Sequence, residues 1–271
     1  MSPLLETFGA ASAFGWIPRA NPNITSVESS LWSGGSNSRP GASVVKDTGL
    51  TLLGGTNYVI TIGAANASSS ALGKTANVSG TSASNTVNGV TTTYSTFGNS
   101  FARSDGSASY GPYGAGSYNE FGWYRSASGG APGAAGNGGN GFSDFPYGYN
   151  GGVGGAAFTV TGADLSGFPV SNGVGRGGGG IPNPMQAQYY AYIPGQGTFY
   201  PWEYGNYGNT YPSGANTGNG YCNPYGVGSG GFTMRYPNTQ AKLASTTGTV
   251  VYLNSGGYHN YFWKSTGSFT V

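Results

Sequence analysis

The sequence predicts an all-β protein, and three observations carry that prediction. Glycine fills 53 of the 271 positions and charged residues only 7%, against roughly 7% glycine and roughly 25% charged residues in ordinary globular chains. Aromatic residues reach 14%, led by 21 Tyr and 13 Phe. Runs of β-branched and aromatic residues recur between Gly, Asn and Ser clusters, whereas long stretches with helical spacing do not.

The same numbers exclude other classes. Intrinsic disorder combines high net charge with few aromatics, the reverse of this chain with its net charge of +2. Nucleic-acid binding needs a basic stripe, yet no lysine occurs between Lys74 and Lys242. Collagen needs glycine at every third position, and that period is absent. Cys222 is the single cysteine, so no intrachain disulfide and no cysteine-only metal site can form. The first residues, Met1-Ser2-Pro3-Leu4-Leu5-Glu6, do not read as a secretory signal, and no run reaches the roughly 18 apolar residues of a membrane helix.

Taken in order, Ser2 to Trp16 is the one place for a short helix or docking arm, with Ser2 as cap and Pro3 at the first helical position. Residues 21–42 read as loop, so residues 1–42 are expected to form an N-terminal arm used in assembly. Strands are expected at Thr51-Leu52-Leu53 and at Asn57-Tyr58-Val59-Ile60-Thr61-Ile62, with Tyr58, Ile60 and Ile62 on one face. Residues 64–84 read as an irregular connection. Asn88-Gly89 signals a tight hairpin, because both residues tolerate positive φ.

From 106 to 180 glycine fills 25 of 75 positions. Glycine loses the most backbone freedom on folding, so an ordered segment of this kind needs close backbone approach, as in polyglycine-type packing. Ala157-Phe158-Thr159-Val160-Thr161 is the one ordinary strand expected within it. Strands return at residues 231–236, 248–253, 258–264 and 267–271. Residues 43–105 and 226–271 are therefore expected to form a β-sandwich or jelly-roll-like body, whose two halves pair across a glycine- and tyrosine-rich insertion at 106–225.

Chemistry is sparse. His259 is the only histidine, in a strand-like run that places it most simply at the surface or an interface. Eight carboxylates are scattered singly. Gly173-Val174-Gly175-Arg176-Gly177-Gly178 matches a dinucleotide-binding pattern, but no helix can follow it across Pro182 and Pro184. Gly73-Lys74-Thr75 lacks the first glycine of a phosphate loop, since residue 68 is Ser68. No catalytic residue, metal site or cofactor is expected. The recognition candidates are Tyr189, Tyr190, Tyr192, Tyr200, Trp202, Tyr204, Tyr207, Tyr211, Tyr221 and Tyr225, which combine rigid apolar faces with polar tips. The same residues also suit a subunit interface or a core.

Two stretches carry a family resemblance. Gly54-Gly55-Thr56-Asn57-Tyr58-Val59-Ile60-Thr61-Ile62-Gly63-Ala64 and Gly256-Gly257-Tyr258 through Ser268-Phe269-Thr270-Val271 resemble the strand and hairpin motifs of glycine-rich domains in bacteriophage tail proteins. The middle of the chain is similar in texture to the glycine-rich adhesin tips of long tail fibres. The resemblance implies a virion protein, a tail fibre or tail-tip subunit that attaches to a host glycan or surface protein without catalysis. It implies a symmetric homo-oligomer, a trimer first, alongside other virion proteins, with no nucleic acid and no membrane insertion. The alternatives are a purely structural capsid decoration or extracellular fibre subunit, and a glycan depolymerase built on two distant carboxylates.

Overall fold

Val, Ile, Tyr, Phe and Thr suit a pleated, half-buried surface, and the computed structural model of this chain contains strands and no helix among its described residues. Those residues are 21–36, 40–80, 82–95, 131–138, 154–159, 174–175, 177, 215–220 and 227–271, with the backbone of six short strands between 117 and 199. The expected N-terminal helix lies outside them.

The first strands are β1 (Ile24–Trp32), β2 (Val44–Leu52), β3 (Asn57–Thr61), β4 (Ser69–Ala71), β5 (Lys74–Ala76), β6 (Ser82–Val87) and β7 (Val90–Ser95). Three two-stranded pairs follow: β8 (Ser117–Tyr118) with β9 (Ser126–Ala127), β10 (Phe142–Asp144) with β11 (Gly148–Asn150), and β12 (Ala191–Ile193) with β13 (Gly197–Phe199). The chain closes with β14 (Gly231–Pro237), β15 (Ser245–Thr246), β16 (Val250–Ser255), β17 (Tyr258–Trp263) and β18 (Gly267–Thr270). A seven-stranded sheet has the order β16-β17-β14-β1-β2-β6-β7, and a five-stranded sheet the order β15-β18-β3-β4-β5. Strands from the two ends of the chain pair directly, β1 with β14 and β3 with β18, both antiparallel.

Residues 21–42 do not form the expected loop: β1 lies at the centre of the large sheet. Its register shifts between Ile24, Val27 and Ser29, and Ser26 has a φ of 55°. Such an irregularity changes which face a side chain meets, so the apolar residues of β1 do not alternate in the sequence. Residues 64–84 are likewise not irregular throughout. β4 and β5 are a hairpin of small residues that buries Ala71 and Ala76, turning on Leu72 and Gly73 at φ 51° and 70°. The Asn88-Gly89 turn forms as expected, at φ 47° and 84° between β6 and β7.

The closing motif differs from the hairpin implied by the family resemblance. β17 pairs with β14 and β16 in the large sheet, whereas β18 pairs with β3 and β15 in the small one. The short link after Trp263 therefore carries the chain from one sheet to the other. Both sheets feed one core, with Ile24, Val27, Leu31, Phe232, Met234, Tyr236, Tyr261 and Trp263 meeting Ile60, Ala71, Ala76, Phe269 and Val271. A continuous series of rings runs through it. Tyr58 stacks on Phe269 at 5.1 Å, Phe269 meets Trp263 at 5.4 Å, Trp263 meets Tyr261 at 5.7 Å, and Tyr261 meets Tyr236 at 6.0 Å.

Alternation along β17 sends Phe262 to the opposite face of the large sheet. There it stacks on Trp32 at 5.7 Å in a second cluster with Val44 and Ala42, and Ala134 and Val174 from the glycine-rich region complete it. The described part of that region therefore packs on the outer face of the large sheet.

Candidate functional site

The outer layer is held by main-chain bonds between segments far apart in sequence. Gly155 N–H donates to Ala131 O at 2.7 Å, Ala135 N–H to Ala156 O at 3.0 Å, and Ala134 N–H to Gly175 O at 2.7 Å. Phe158 and Val174 exchange N–H···O bonds of 2.8 and 2.9 Å, and Gly175 N–H donates to Thr217 O at 2.9 Å. Two further bonds tie the layer to the body: Gly41 N–H to Pro132 O at 2.9 Å and Ala42 N–H to Gly218 O at 2.7 Å.

Glycine is required here because the backbones touch. A Cβ on Gly155 would run into Gly133 N and Gly136 O, and one on Gly177 would meet Ala131 O. These contacts leave no room for a methyl group, so the close backbone approach expected from composition occurs in the described segments. Of the ordinary strand expected at residues 157–161, the described residues 157–159 make one bridge, between Phe158 and Val174, and residues 160–161 lie outside the described residues.

Asn216 joins this layer to both the sheet and the chain's last strands. Its φ is 64° and it is buried. Its Nδ2 donates to Gly230 O at 2.6 Å and to Lys264 O at 2.9 Å, while its carbonyl accepts from Trp32 Nε1 at 3.1 Å. Its own N–H donates to Ser229 Oγ at 2.7 Å. Sequence reasoning missed both Asn216 and Trp32 as a linked pair. The only available signal was an asparagine amid glycines, a residue type that tolerates positive φ.

Tyr189, Tyr190, Tyr200, Trp202, Tyr204, Tyr207, Tyr211, Tyr221 and Tyr225 lie outside the described residues, and Tyr192 belongs to β12, of which only the backbone is described. What is described are points on either side of them: Gly177 precedes residues 178–214, and residues 215–220 and 227–230 flank the rest.

Several ionisable groups of the body lie in packed contacts. His259 is not at the surface; it is 7% exposed, under the β16–β17 edge. Its Nε2 faces Gln240 O at 3.2 Å and must donate, so in the neutral ring Nδ1 accepts the Tyr252 hydroxyl at 2.8 Å. Lys242 Nζ sits 4.0 Å above the Tyr252 ring. Burial raises the hydroxyl pKa of Tyr236 and of Tyr261 above the ordinary 10.0, and the two oxygens lie 3.5 Å apart. On the outer face Arg235 pairs with Glu28 through Nε–Oε2 at 3.1 Å and Nη2–Oε1 at 3.3 Å, with its guanidinium 4.2 Å over Tyr258. Among the described residues no group of three or more His, Cys, Asp or Glu is placed to hold a metal, and no helix is long and apolar enough to cross a membrane.

No protein-family model, curated protein or solved structure matches this chain.

Proposed function

We propose that the protein is a virion subunit, of a tail fibre or tail tip, that binds a host-surface glycan or protein without catalysis. The observation that supports this reading is the glycine layer. Its main-chain bonds hold residues 131–136, 155–158, 174–175 and 216–218 side by side against the body, and most of the aromatic run, Tyr189 to Tyr211, falls in the chain between the last two. A layer that holds residues 174–175 and 216–218 anchors the chain on either side of that run, which suits recognition, because anchoring a segment's ends lowers the entropy lost on binding. Tyr, Trp, Asn and Gly are the residue types that such surfaces use.

The test is adhesion of purified, fluorescently labelled protein to a panel of bacterial cells and to their extracted surface polysaccharides. Saturable binding is expected, and it is abolished by the triple substitution Tyr200→Ala, Trp202→Ala, Tyr204→Ala while the melting temperature stays unchanged. Absence of binding across the panel, or binding indifferent to the triple substitution, refutes the reading. New reducing ends in the polysaccharide would convert it to the depolymerase alternative.

A further inference from the structure

The large sheet ends on β16 at one side and on β7 at the other, and β7 is the more exposed of the two. Five of its six residues are exposed, Val90 at 72%. The whole β6–β7 hairpin, Ser82-Ala83-Ser84-Asn85-Thr86-Val87-Asn88-Gly89-Val90-Thr91-Thr92-Thr93-Tyr94-Ser95, contains no charged residue and no proline. Charges, prolines and bulges are the usual devices that stop an edge strand from pairing, and the β6–β7 register is regular throughout.

The turn fixes which backbone groups are free. A two-residue turn at Asn88-Gly89 closes on the bonded pair Val87–Val90. Bonding then alternates along an antiparallel ladder. The amides and carbonyls of Val90, Thr92 and Tyr94 point to β6, and those of Thr91, Thr93 and Ser95 point away from the sheet. Among the described residues no strand receives them.

We propose that β7 is a self-pairing edge: a second copy of this chain adds its own β7 antiparallel, across a two-fold axis at Thr92. The outward-pointing residues must face each other, which restricts the register to a few choices. One of them sets Thr91 opposite Thr93 of the second copy, with both of their bonds made, and Thr92 opposite itself. In that register alone exposed Val90 lies opposite the Tyr94 ring, in the close spacing of a non-bonded pair. The row is thus complementary to itself in shape and polarity, and no charge on it calls for an oppositely charged partner. The net charge of +2 on the chain offers little repulsion between copies. Such a contact joins subunits in pairs, unlike the trimer that the family resemblance implies, and it does not rest on the attachment reading.

One strand pair covers less than the roughly 1,200 Å² of a stable interface, so the dimer is expected to be weak, with a Kd of about micromolar or higher. Sedimentation of the full chain over rising concentration should show the mass climbing from 27.4 kDa toward twice that value. Thr92→Lys places like charges directly opposite each other on the axis and should weaken pairing at least tenfold at low salt. Thr61→Lys, on the exposed face of the small sheet, should leave it unchanged. Thr92→Cys in a Cys222→Ser background should cross-link into a covalent dimer on oxidation, since the expected Cα spacing suits a disulfide. A chain that stays monomeric throughout, or a Thr92→Lys protein that associates like the parent, overturns the proposal; so does a Thr92→Cys protein that fails to cross-link at concentrations where the parent dimerises.

Discussion

The two faces of the seven-stranded sheet are covered in opposite ways. On the inner face large rings fill the space to the small sheet, with Trp263, Tyr236, Tyr261, Phe232 and Phe269 all fully buried. On the outer face the described covering layer is mostly glycine and alanine, with Val174 and Phe158, held by backbone bonds between segments up to scores of residues apart. Neighbouring residues of one strand serve the two regimes: Trp263 enters the ring series, and Phe262 lies under the glycine layer. The inner face gains from the apolar area removed from water. The outer face gains little area per residue and depends on closeness, because only bare backbones approach near enough to satisfy one another's N–H and C=O groups. A core of the first kind tolerates changes of similar shape. A layer of the second kind tolerates none that adds an atom at a contact.

The largest loss of stability is expected at Trp263. Trp263→Ala should cost about 3–5 kcal/mol and lower the denaturant midpoint of the whole body, read by urea titration with two spectroscopic probes that move together. Next comes Gly155→Ala, whose methyl would meet the backbone of Gly133 and Gly136. A cost of about 1–3 kcal/mol is expected from overpacking, and it should fall locally. Amide exchange should accelerate at residues 131–136 and 155–158 while β14 and β17 keep their protection. If both regions lose protection equally, the two faces are one cooperative unit and the contrast fails.

Asn216→Ala tests the link between them. It removes the donors to Gly230 O and Lys264 O, leaving carbonyls short of a partner, at a cost of about 1–2 kcal/mol. Hydrogen exchange of the Trp32 indole should reveal loosening, because its acceptor is the Asn216 carbonyl.

The smallest effect at neutral pH is the alkaline one, since there it is zero. Burial raises the folded-state pKa of Tyr236 and Tyr261 above 10.0, so the folded chain holds these protons more tightly than the unfolded chain does. Their contribution is complete below pH 10 and is lost as pH rises beyond it, at up to about 1.4 kcal/mol per pH unit for each hydroxyl. Tyr236→Phe should flatten the fall of melting temperature above pH 10; an unchanged slope would show that other groups drive it.

Legibility followed locality. Strands β3, β14 and β16 to β18 could be read because Tyr, Val, Ile and Phe cluster there, and the β6–β7 turn because Asn88-Gly89 states its own φ. β1 could not, since the irregularity at Ser26 disrupts alternation, nor β4 and β5, whose Ser and Ala residues earn burial only from what packs above them. His259 was read as a surface or interface residue because alternation gives a face but not what covers it; Gln240 and Tyr252 do. The close approach of the glycine segments was legible in composition, whereas their partners were not, because Trp32 and Asn216 are 184 residues apart.

Composition alone determined the all-β class seen in the described residues: with so few ionisable and helix-forming residues, main-chain pairing and ring burial are the stabilising interactions left to them. Tertiary structure decided which strands share a sheet, that β17 and β18 part company after Trp263, and which glycines must stay bare. Those outcomes depend on contacts between residues remote in sequence, and a main-chain bond can form with any residue that arrives, so the side chains nearby do not name the partner.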